Sequence, residues 1–490
     1  MKLSELLTKV KHLAVRGNPD REVKGIAYDS RQVKPDVLFV AIPGTHCDGY
    51  EYAEEAVKRG STVVVTSHAQ LSSREVTQVQ VEDTRLALAE LSDVFYGHPS
   101  GALKVVGITG TNGKTTTAFM VRDVLESVGC IPGLIGTVHY EIGARIIPAQ
   151  RTTPEALEVQ DYLGQMVRAG CRSVVMEVSS HALDQQRIHG VDFDVALFTN
   201  LTRDHLDYHH TMECYFEAKR RLFIELGRGN KRAVAVINHD DPWGRKLAAD
   251  PDIRAEIITF GIEPGASVQV MEMQMGSNGS ECRVKTPWGE SRVSTPLLGR
   301  FNLQNVLGAY TAGRALQFED AVILPALAAR ARVPGRLEEI PVARGWRVFV
   351  DYAHTDDALT NVLETLRGFT EGRLIVVFGC GGNRDQSKRA LMGAAASRLA
   401  DIAIVTSDNP RDEDPKTIIS QICAGFSGGA SYEVVEDRAK AIAMALAVAR
   451  DKDLVIIAGK GHETTQEIAG VKALFDDRLV VKNALIRMDG

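Results

Sequence analysis

The sequence lacks the cysteine patterns of a disulfide-bonded or zinc-binding protein. Its 490 residues include only seven cysteines, which are scattered and form no C-x-x-C pair. A dispersed, odd-numbered set predicts reduced thiols in a cytosolic protein. The first residues lack the apolar core of a signal peptide, and the longest apolar run, Ala441–Ala449, is too short to cross a bilayer. We therefore expect a cytoplasmic protein with no membrane partner.

An excess of basic residues is also missing. The net charge is −6, with 44% hydrophobic and 24% charged residues, which is typical of a globular protein. No region is basic enough to predict a nucleic-acid partner. A chain of 490 residues exceeds one hydrophobic core, and its length favours three domains.

Short β-type runs alternate with helical segments along the chain. This alternation predicts an α/β fold with a mainly parallel sheet. Segments rich in glycine, proline or serine interrupt it at Tyr96–Lys104 and Arg332–Glu339. The domains predicted from these breaks are residues 1–98, 99–332 and 333–490.

The stretch GITGTNGKTTT, which ends at Thr117, has the pattern of a phosphate-binding loop. It follows a β-branched run and precedes an apolar stretch of helical periodicity. In such a loop backbone N–H groups cradle phosphates, Lys114 reaches the β and γ oxygens, and Thr115 can hold Mg²⁺. Ile108 replaces the first glycine of the strict pattern, but the strand–loop–helix context predicts a nucleotide site. The alternative is a plain glycine-rich turn with an exposed lysine.

Two polar residues follow the next buried-strand candidates. Glu177 lies in the run Ser173–Val178, where a carboxylate needs a metal or an arginine as partner. Beside a phosphate loop, Mg²⁺ is the favoured partner. His205 follows the run Val195–Asn200 and could be a ligand, a base or a structural histidine. Its spacing alone favours the structural role.

The segment Tyr215–Leu226 predicts a helix with a lysine on its apolar face. At 100° per residue, Lys219 falls in the middle of that face, whereas Arg220 and Arg221 point away. A lysine there must extend to solvent, form an ion pair or be chemically modified.

Two asparagines in GRFNLQN, Asn302 and Asn305, share one face of another predicted helix. They could hydrogen-bond a nucleotide base, although Asn302 could instead be an N-cap.

Three apolar runs near the C-terminus end in polar loops: FGCGGNRD, VTSDNPRD and AGKGHE. In open α/β sheets such loops meet in one crevice. The second loop places Arg411 beside Asp408, and a guanidinium holds a carboxylate with two parallel hydrogen bonds. We expect the acids at 412–414 to form a solvated helix entry.

Together these stretches resemble the Mur ligase family, which builds the peptide of the peptidoglycan precursor. The resemblance spans nearly the whole chain and is most specific at GTNGKTTT, MEVSSH, NLTRDHLDYH, GRFNLQN, DYAHTDDAL and DNPRDEDP. It implies an N-terminal UDP-binding α/β domain, a central P-loop ATPase domain and a C-terminal Rossmann-like domain for the amino acid. DNPR is associated with members that add meso-diaminopimelate.

The resemblance also implies roles for individual residues. Those that would bind ATP are Gly110, Thr111, Asn112, Gly113, Lys114, Thr115, Thr116, Asn302, Arg336, Asp351 and His354. Those that would bind the UDP substrate are Ser30, Thr152, Thr153, Ser179, Gln185 and Arg187. Those that would bind meso-diaminopimelate are Arg384, Asp408, Asn409, Pro410, Arg411, Gly459 and Glu463.

The implied catalytic groups are Lys114, Glu177, His205 and Lys219. Thr115, Glu177, His205 and Lys219, the last as a carbamate, would bind Mg²⁺. The implied reaction is ATP-dependent ligation of meso-diaminopimelate to UDP-N-acetylmuramoyl-L-alanyl-D-glutamate through an acyl phosphate, by a monomer.

Two positions depart from the family pattern. Asp356 stands where relatives usually have proline, which affects the expected loop shape. Arg151 stands where relatives often have asparagine, which affects one expected substrate contact.

Three other functions remain open from the sequence. They are a lysine-adding relative, a ligase like folylpolyglutamate synthase, and a P-loop phosphotransferase or non-catalytic nucleotide-binding module.

Overall fold

Three β-sheets follow one another along the chain. The computed structural model describes residues 1–44, 47–69, 76–229, 231–329 and 333–489. Most strand pairs in the three sheets are parallel, and helices pack against them, so the predicted α/β class is confirmed. The predicted boundary at residue 332 lies outside the described residues, and the domain limits stay predictions.

The first sheet has five strands in the order β1-β5-β4-β3-β2, with β1 antiparallel to β5 and the other pairs parallel. Its strands are β1 (Ala14–Arg16), β2 (Gly25–Ala27), β3 (Val37–Val40), β4 (Val63–Thr66) and β5 (Thr77–Gln80). Its helices are α1 (Leu3–Leu6), α2 (Ala53–Lys58) and α3 (Thr84–Phe95).

The second sheet has eleven strands in the order β16-β15-β14-β13-β12-β11-β6-β10-β7-β8-β9. These strands are β6 (Lys104–Thr109), β7 (Pro132–Ile135), β8 (His139–Ile142), β9 (Arg145–Pro148), β10 (Ser173–Glu177), β11 (Val195–Phe198), β12 (Val234–Asn238), β13 (Glu256–Gly261), β14 (Val268–Gly276), β15 (Gly279–Thr286) and β16 (Gly289–Thr295). The accompanying helices are α4 (Lys114–Ser127), α5 (Ala156–Arg168), α6 (Ser180–Asp184), α7 (Leu206–His209), α8 (Met212–Glu225), α9 (Pro242–Ala248), α10 (Arg300–Ala315) and α11 (Asp320–Ala328).

The third sheet has six strands in the order β17-β18-β22-β19-β20-β21, and a separate hairpin pairs β23 with β24. These strands are β17 (Glu338–Ile340), β18 (Arg347–Asp351), β19 (Leu374–Phe378), β20 (Ile402–Val405), β21 (Tyr432–Val434), β22 (Leu454–Ala458), β23 (Thr465–Ile468) and β24 (Val471–Leu474). The last helices are α12 (Asp356–Arg367), α13 (Lys388–Leu399), α14 (Pro415–Cys423), α15 (Arg438–Val448) and α16 (Asp477–Asp489).

Alternating side chains of the central strands pack into two hydrophobic cores, one on each face of the second sheet. On β6, Val106 and Ile108 belong to one core, whereas Val105 belongs to the other. Burial on both faces explains why these strands read as continuous apolar runs.

Strand pairing brings the predicted catalytic segments to one sheet edge. β6 pairs in parallel with β10 and β11, and Ile108 lies opposite both Glu177 and Leu197. The segments that leave these strands therefore emerge side by side. None of the helices in the described part of the chain combines the length and apolar character that a membrane span needs.

Candidate active site

A cavity of about 370 Å³ lies where the edge of the second sheet faces the first segments of the third. The predicted ATP-binding residues that line it are Thr111, Asn112, Gly113, Lys114, Thr115, Thr116, Asn302, Arg336, Asp351 and His354. The predicted catalytic residues Glu177 and His205 and the predicted substrate residue Thr152 also line it. Residues from distant parts of the chain thus meet around one space large enough for a small ligand.

The predicted phosphate loop joins β6 to α4, which confirms the strand–loop–helix arrangement. Gly110 has φ +148° and Gly113 has φ +85°. A Cβ at Gly110 would lie 1.9 Å from Thr199 Oγ1, and a Cβ at Gly113 would lie 2.2 Å from Asn305 Oδ1. Both glycines are required by backbone conformation and by close packing.

Lys114 folds back over this loop. Its Nζ donates to the carbonyl oxygens of Gly110, at 2.9 Å, and Thr111, at 2.8 Å. Burial lowers the pKa of Lys114, while the nearby Glu177 carboxylate opposes that shift. The interpretation as a plain turn with an exposed lysine is therefore wrong.

Glu177 is a buried carboxylate with hydroxyl and backbone partners. Its oxygens accept hydrogen bonds from Thr115 Oγ1 at 2.9 Å, from Thr137 Oγ1 at 3.0 Å and from the Thr137 N–H at 2.8 Å. Among the residues that the structure describes, no arginine pairs with it; Arg336 instead donates to Thr115 Oγ1 at 3.1 Å.

The donor set around Glu177 fits a magnesium ion. Thr115 and Glu177 offer adjacent, buried oxygen atoms, and Mg²⁺ prefers such hard ligands while keeping several waters or phosphate oxygens. Within the described ranges, no group of three or more His, Cys, Asp or Glu side chains is arranged to hold a metal ion.

Lys219 lies at the base of the loop and is only 1% exposed. Its Nζ donates to the carbonyl oxygen of Gly110 at 2.9 Å and lies 4.6 Å from the ring centroid of Tyr215. Burial and the neighbouring charge of Lys114 lower the pKa of Lys219 well below its usual value. The Lys219 side chain therefore does not extend to solvent. The next residue, Arg220, pairs with Asp250.

His205 precedes α7 in a left-handed conformation, with φ +55°. Its Nε2 lies 3.4 Å from Asp204 Oδ2, and its ring is 5.0 Å from that of His181. Burial keeps the pKa of His205 below its ordinary value, although Asp204 opposes this shift. This shift favours the neutral imidazole, which lines the cavity in a position suited to a ligand.

The two asparagines of α10 are both buried. The helix begins at Arg300 with Gly299 as its N-cap, so the N-cap interpretation of Asn302 is wrong. Asn302 Nδ2 donates to the carbonyl oxygen of Leu298 at 2.8 Å, and Asn305 Nδ2 lies 3.3 Å from Asn302 Oδ1. Their contact with a base stays a prediction.

Five of the predicted UDP-substrate residues are neighbours. Thr153 Oγ1 lies 3.4 Å from Ser179 Oγ, and Arg187 donates to the carbonyl oxygen of Thr153 at 3.1 Å and to Gln185 Oε1 at 2.7 Å. Thr152 lies beside them on the cavity wall.

The sixth predicted UDP-substrate residue, Ser30, belongs to the first sheet's region. It is buried at the start of the 3₁₀ helix Ser30–Gln32.

The departure at Arg151 introduces a charge beside these residues. Arg151 pairs with Glu155, which also lies 3.1 Å from Arg187 and 3.4 Å from Arg85. Three guanidinium groups therefore surround a single carboxylate on this side of the cavity.

The loops after β19, β20 and β22 meet, as the sequence predicted. Arg411 Nη1 donates to the carbonyl oxygen of Gly382 at 2.6 Å, and Asn409 Nδ2 donates to Glu463 Oε2 at 2.8 Å. Arg411 has φ +53°, and its Nε lies 3.7 Å from Glu467.

The other residues predicted to bind the amino acid lie on the same three loops. Asp408, Asn409 and Pro410 are buried, whereas Arg384 is exposed. A Cβ at Gly459 would lie 2.5 Å from Asp408 Oδ2, so this glycine leaves space for the carboxylate.

The acids after Arg411 are only partly a solvated helix entry. Asp414 caps α14, as expected. Glu413 instead pairs at 2.8 Å with Arg389, which is fully buried, and these hydrogen bonds hold the pKa of Glu413 below its ordinary value. The prediction for Glu413 is wrong because its partner comes from α13, which the local sequence does not reveal.

The phosphate loop also contacts the start of α12. Asn112 Nδ2 donates to Asp357 Oδ2 at 2.9 Å, and Thr202 Oγ1 donates to the same oxygen at 3.2 Å. The departure at Asp356 adds an ion pair with Arg203 at 3.7 Å. Asp356 is the first residue of α12, where both proline and acidic residues suit a helix start.

Sequence reasoning missed several fully buried charged residues, among them Lys460 and Arg438. Arg438 pairs with Asp477 at 2.7 Å. Lys460 lies two residues after the apolar strand β22, and a lysine in that position was the available signal.

Three family models match successive stretches of the chain. Residues 22–96 match the model "Mur ligase family, catalytic domain", residues 108–313 the "Mur ligase middle domain", and residues 335–461 the "Mur ligase, glutamate ligase domain".

Two curated relatives are each named UDP-N-acetylmuramoyl-L-alanyl-D-glutamate--2,6-diaminopimelate ligase. The relative from Geobacillus thermodenitrificans is 46% identical and covers 99% of both chains. The relative from Geobacter metallireducens is 43% identical and covers 98% of this chain and 97% of its own.

Solved structures show the same architecture. A structure of a UDP-N-acetylmuramoyl-L-alanyl-D-glutamate--2,6-diaminopimelate ligase has a TM-score of 0.71 at 32% identity and covers 100% of this chain and 99% of its own. The MurF ligase from Thermotoga maritima in complex with ADP has a TM-score of 0.61 at 19% identity, covering 96% of this chain and 97% of its own, and shares the fold.

Proposed function

The chain belongs to the Mur ligase family, and on this premise we propose that it joins meso-diaminopimelate to UDP-N-acetylmuramoyl-L-alanyl-D-glutamate while converting ATP to ADP and phosphate. The observation that carries this proposal is the meeting of Arg411, Asn409 and Glu463 at one end of the third sheet. The full-length relatives named for this reaction support the same choice of amino acid.

The first chemical step is attack of the substrate carboxylate on the γ-phosphate of ATP. Two anions approach one another, so the step needs positive charge at the developing transition state. Lys114 supplies it by moving from the carbonyl oxygens of Gly110 and Thr111 to the phosphate oxygens. Asn302, Arg336, Asp351 and His354, which line the same cavity, would hold the rest of the nucleotide.

Magnesium, when bound, neutralises phosphate charge and orients the transferring phosphoryl group. Thr115 and Glu177 would hold it with their adjacent oxygens, and His205 would add a neutral nitrogen ligand. Arg336 keeps the Thr115 hydroxyl oriented through its hydrogen bond at 3.1 Å.

Lys219 is proposed to carry a carbamate. Its lowered pKa leaves a neutral amine, whose lone pair can attack the carbon of CO₂; the new N–C bond forms and the nitrogen loses one proton. The product is an anion beside the phosphate loop, which would serve as a further magnesium ligand. Its present partners, the Gly110 carbonyl oxygen and the face of Tyr215, provide no carboxylate counter-charge.

The second chemical step is attack of the amino acid's amine on the acyl phosphate, with release of phosphate. Arg411 would hold the distant carboxylate of meso-diaminopimelate as a two-pronged donor, and Asp408 and Glu463 would accept from ammonium groups. Lysine lacks that carboxylate, so it would form none of these hydrogen bonds, and Arg411 would keep only its contacts with Gly382 and Glu467. The loss is about 1–3 kcal/mol, which discriminates against lysine.

The UDP substrate would extend from the cavity along Thr152, Thr153, Ser179 and Arg187 toward Ser30 in the first domain. The three arginines around Glu155 make this side of the cavity suited to anionic groups. We also propose that the protein acts as a cytoplasmic monomer, which agrees with its free cysteines and its use of ATP.

Product analysis tests this function directly. The protein is incubated with ATP, UDP-N-acetylmuramoyl-L-alanyl-D-glutamate and, in separate reactions, meso-diaminopimelate, L-lysine or L-glutamate. We expect a new amide product by mass only with meso-diaminopimelate, and ADP release that requires both substrates. A lysine product would identify a lysine-adding ligase, and a stably phosphorylated single acceptor would identify a phosphotransferase.

A further inference from the structure

Lys460 is a completely buried lysine in the loop after β22, with a side-chain exposure of 0%. Burying an ammonium group is costly unless it is paired and hydrogen-bonded. Lys460 Nζ donates to Asn409 Oδ1 at 3.0 Å and to Glu463 Oε2 at 2.9 Å. Both partners belong to the set proposed to bind the amino acid, whereas Lys460 itself is inaccessible to a ligand.

The contact constrains one oxygen of Glu463 and leaves the other available. Oε2 accepts from Lys460 and, at 2.8 Å, from Asn409 Nδ2. In the part of the chain that the structure describes, Oε1 accepts no hydrogen bond, and the Glu463 side chain is 31% exposed. The carboxylate is therefore fixed in rotation, with one charged oxygen free for a ligand.

The same contact fixes the amide of Asn409. Its Oδ1 accepts from Lys460 and from the backbone N–H of Glu467 at 3.0 Å, while its Nδ2 donates to Glu463. The carbonyl oxygen of Glu467 accepts in turn from the Arg411 N–H at 3.1 Å. Lys460 thus lies at the centre of a network that joins the two amino-acid loops to β23.

We propose that Lys460 is a positioning residue that sets amino-acid specificity by holding Asn409 and Glu463 as a rigid receptor for an ammonium group. The proposal rests on the proposed function, since it concerns the same amino-acid site. A free carboxylate oxygen is complementary to an ammonium of a diamino acid. Rigidity matters because a receptor fixed before binding pays less ordering cost when the ligand arrives.

The first test compares Lys460→Met with the unaltered protein in steady-state kinetics. Loss of the ammonium removes one of the two hydrogen bonds that hold Glu463 Oε2 and one of the two that hold Asn409 Oδ1, so we expect the KM for meso-diaminopimelate to rise about 10- to 100-fold. The KM for ATP should stay unchanged, because the P-loop cavity retains its own contacts. Lys440→Met, which removes an exposed lysine from the same domain, is the matched control and should keep both KM values.

A double-mutant cycle separates positioning from a general effect on stability. If Lys460 acts through Glu463, then adding Lys460→Met to Glu463→Gln should raise the KM for the amino acid little beyond the single Glu463→Gln change. Fully additive effects would overturn the proposal. The double variant also removes the Glu463 charge that loses its counter-charge in Lys460→Met, so it remains informative if Lys460→Met alone does not fold.

The outcomes also separate this inference from the function on which it rests. If the unaltered protein shows no ADP release that depends on both the UDP-dipeptide and meso-diaminopimelate, the proposed function fails. If it shows that dependence, and Lys460→Met keeps the KM for meso-diaminopimelate and the discrimination against lysine, only the role of Lys460 fails.

Discussion

The phosphate loop and the amino-acid pocket, by which we mean the loops after β19, β20 and β22, depend on different kinds of contact. The phosphate loop depends on its backbone, with Gly110 and Gly113 in conformations and contacts that admit no side chain. The amino-acid pocket depends on side chains paired with side chains, as in Lys460 with Glu463 and Arg389 with Glu413. The proposed phosphate recognition would therefore depend on local backbone geometry, whereas the proposed amino-acid recognition would be open to single substitutions at several positions.

The largest expected effect lies on the phosphate side. Lys114→Ala removes the charge that reaches the transferring phosphoryl group, so ADP formation should fall about 10³-fold. A coupled assay for ADP measures this loss, and an unchanged thermal melting curve shows that the fold is intact. Substantial turnover in this variant would mean that the loop does not activate ATP.

The next largest effect is expected at Lys219, which donates to the same Gly110 carbonyl oxygen as Lys114. Lys219→Ala should reduce ligation about 10²-fold, because the carbamate cannot form on alanine, and added bicarbonate should not restore activity. Arg220→Ala, on the same helix but directed toward Asp250, is the control and should remain active. Ligation near the normal rate in Lys219→Ala would remove the carbamate from the mechanism.

A smaller and more selective effect is expected on the amino-acid side. Arg411→Ala removes hydrogen bonds to a carboxylate, worth about 1.5–3 kcal/mol, so the KM for meso-diaminopimelate should rise about 10- to 100-fold. The KM for ATP should not change, and the preference over lysine should shrink. An unaltered KM for meso-diaminopimelate would leave the loop without a recognition role.

The smallest effect is expected at the contact between the start of α12 and the segment that follows β11. Asp356→Pro breaks the ion pair with Arg203. Because both side chains are partly exposed, this ion pair stabilises the contact by about 0–1 kcal/mol. Proline is also favoured at this first helical position, so kcat/KM should change by no more than about fivefold. Kinetics with ATP and with the amino acid measure this change, and a larger loss would show that the ion pair controls how the domains meet.

Local signals explain what the sequence could predict. The phosphate loop, the strand before Glu177 and the buried face that carries Lys219 all depend on neighbours a few positions away. The pairing of Glu413 with Arg389 and of Arg438 with Asp477 depends on elements far along the chain. The N-cap prediction for Asn302 was wrong for another reason. Asparagine suits an N-cap, but the helix begins two residues earlier, at Arg300.

The hydrogen bond between Asn112 and Asp357 joins residues 245 positions apart. A fragment ending at residue 332 would keep every residue of the phosphate loop. It would lose one of the two acceptors of Asn112 Nδ2 and, with Arg336, Asp351 and His354, part of the cavity lining. The proposed ATP-binding cavity is therefore built from two distant stretches of the chain, and the first stretch alone would not reproduce it.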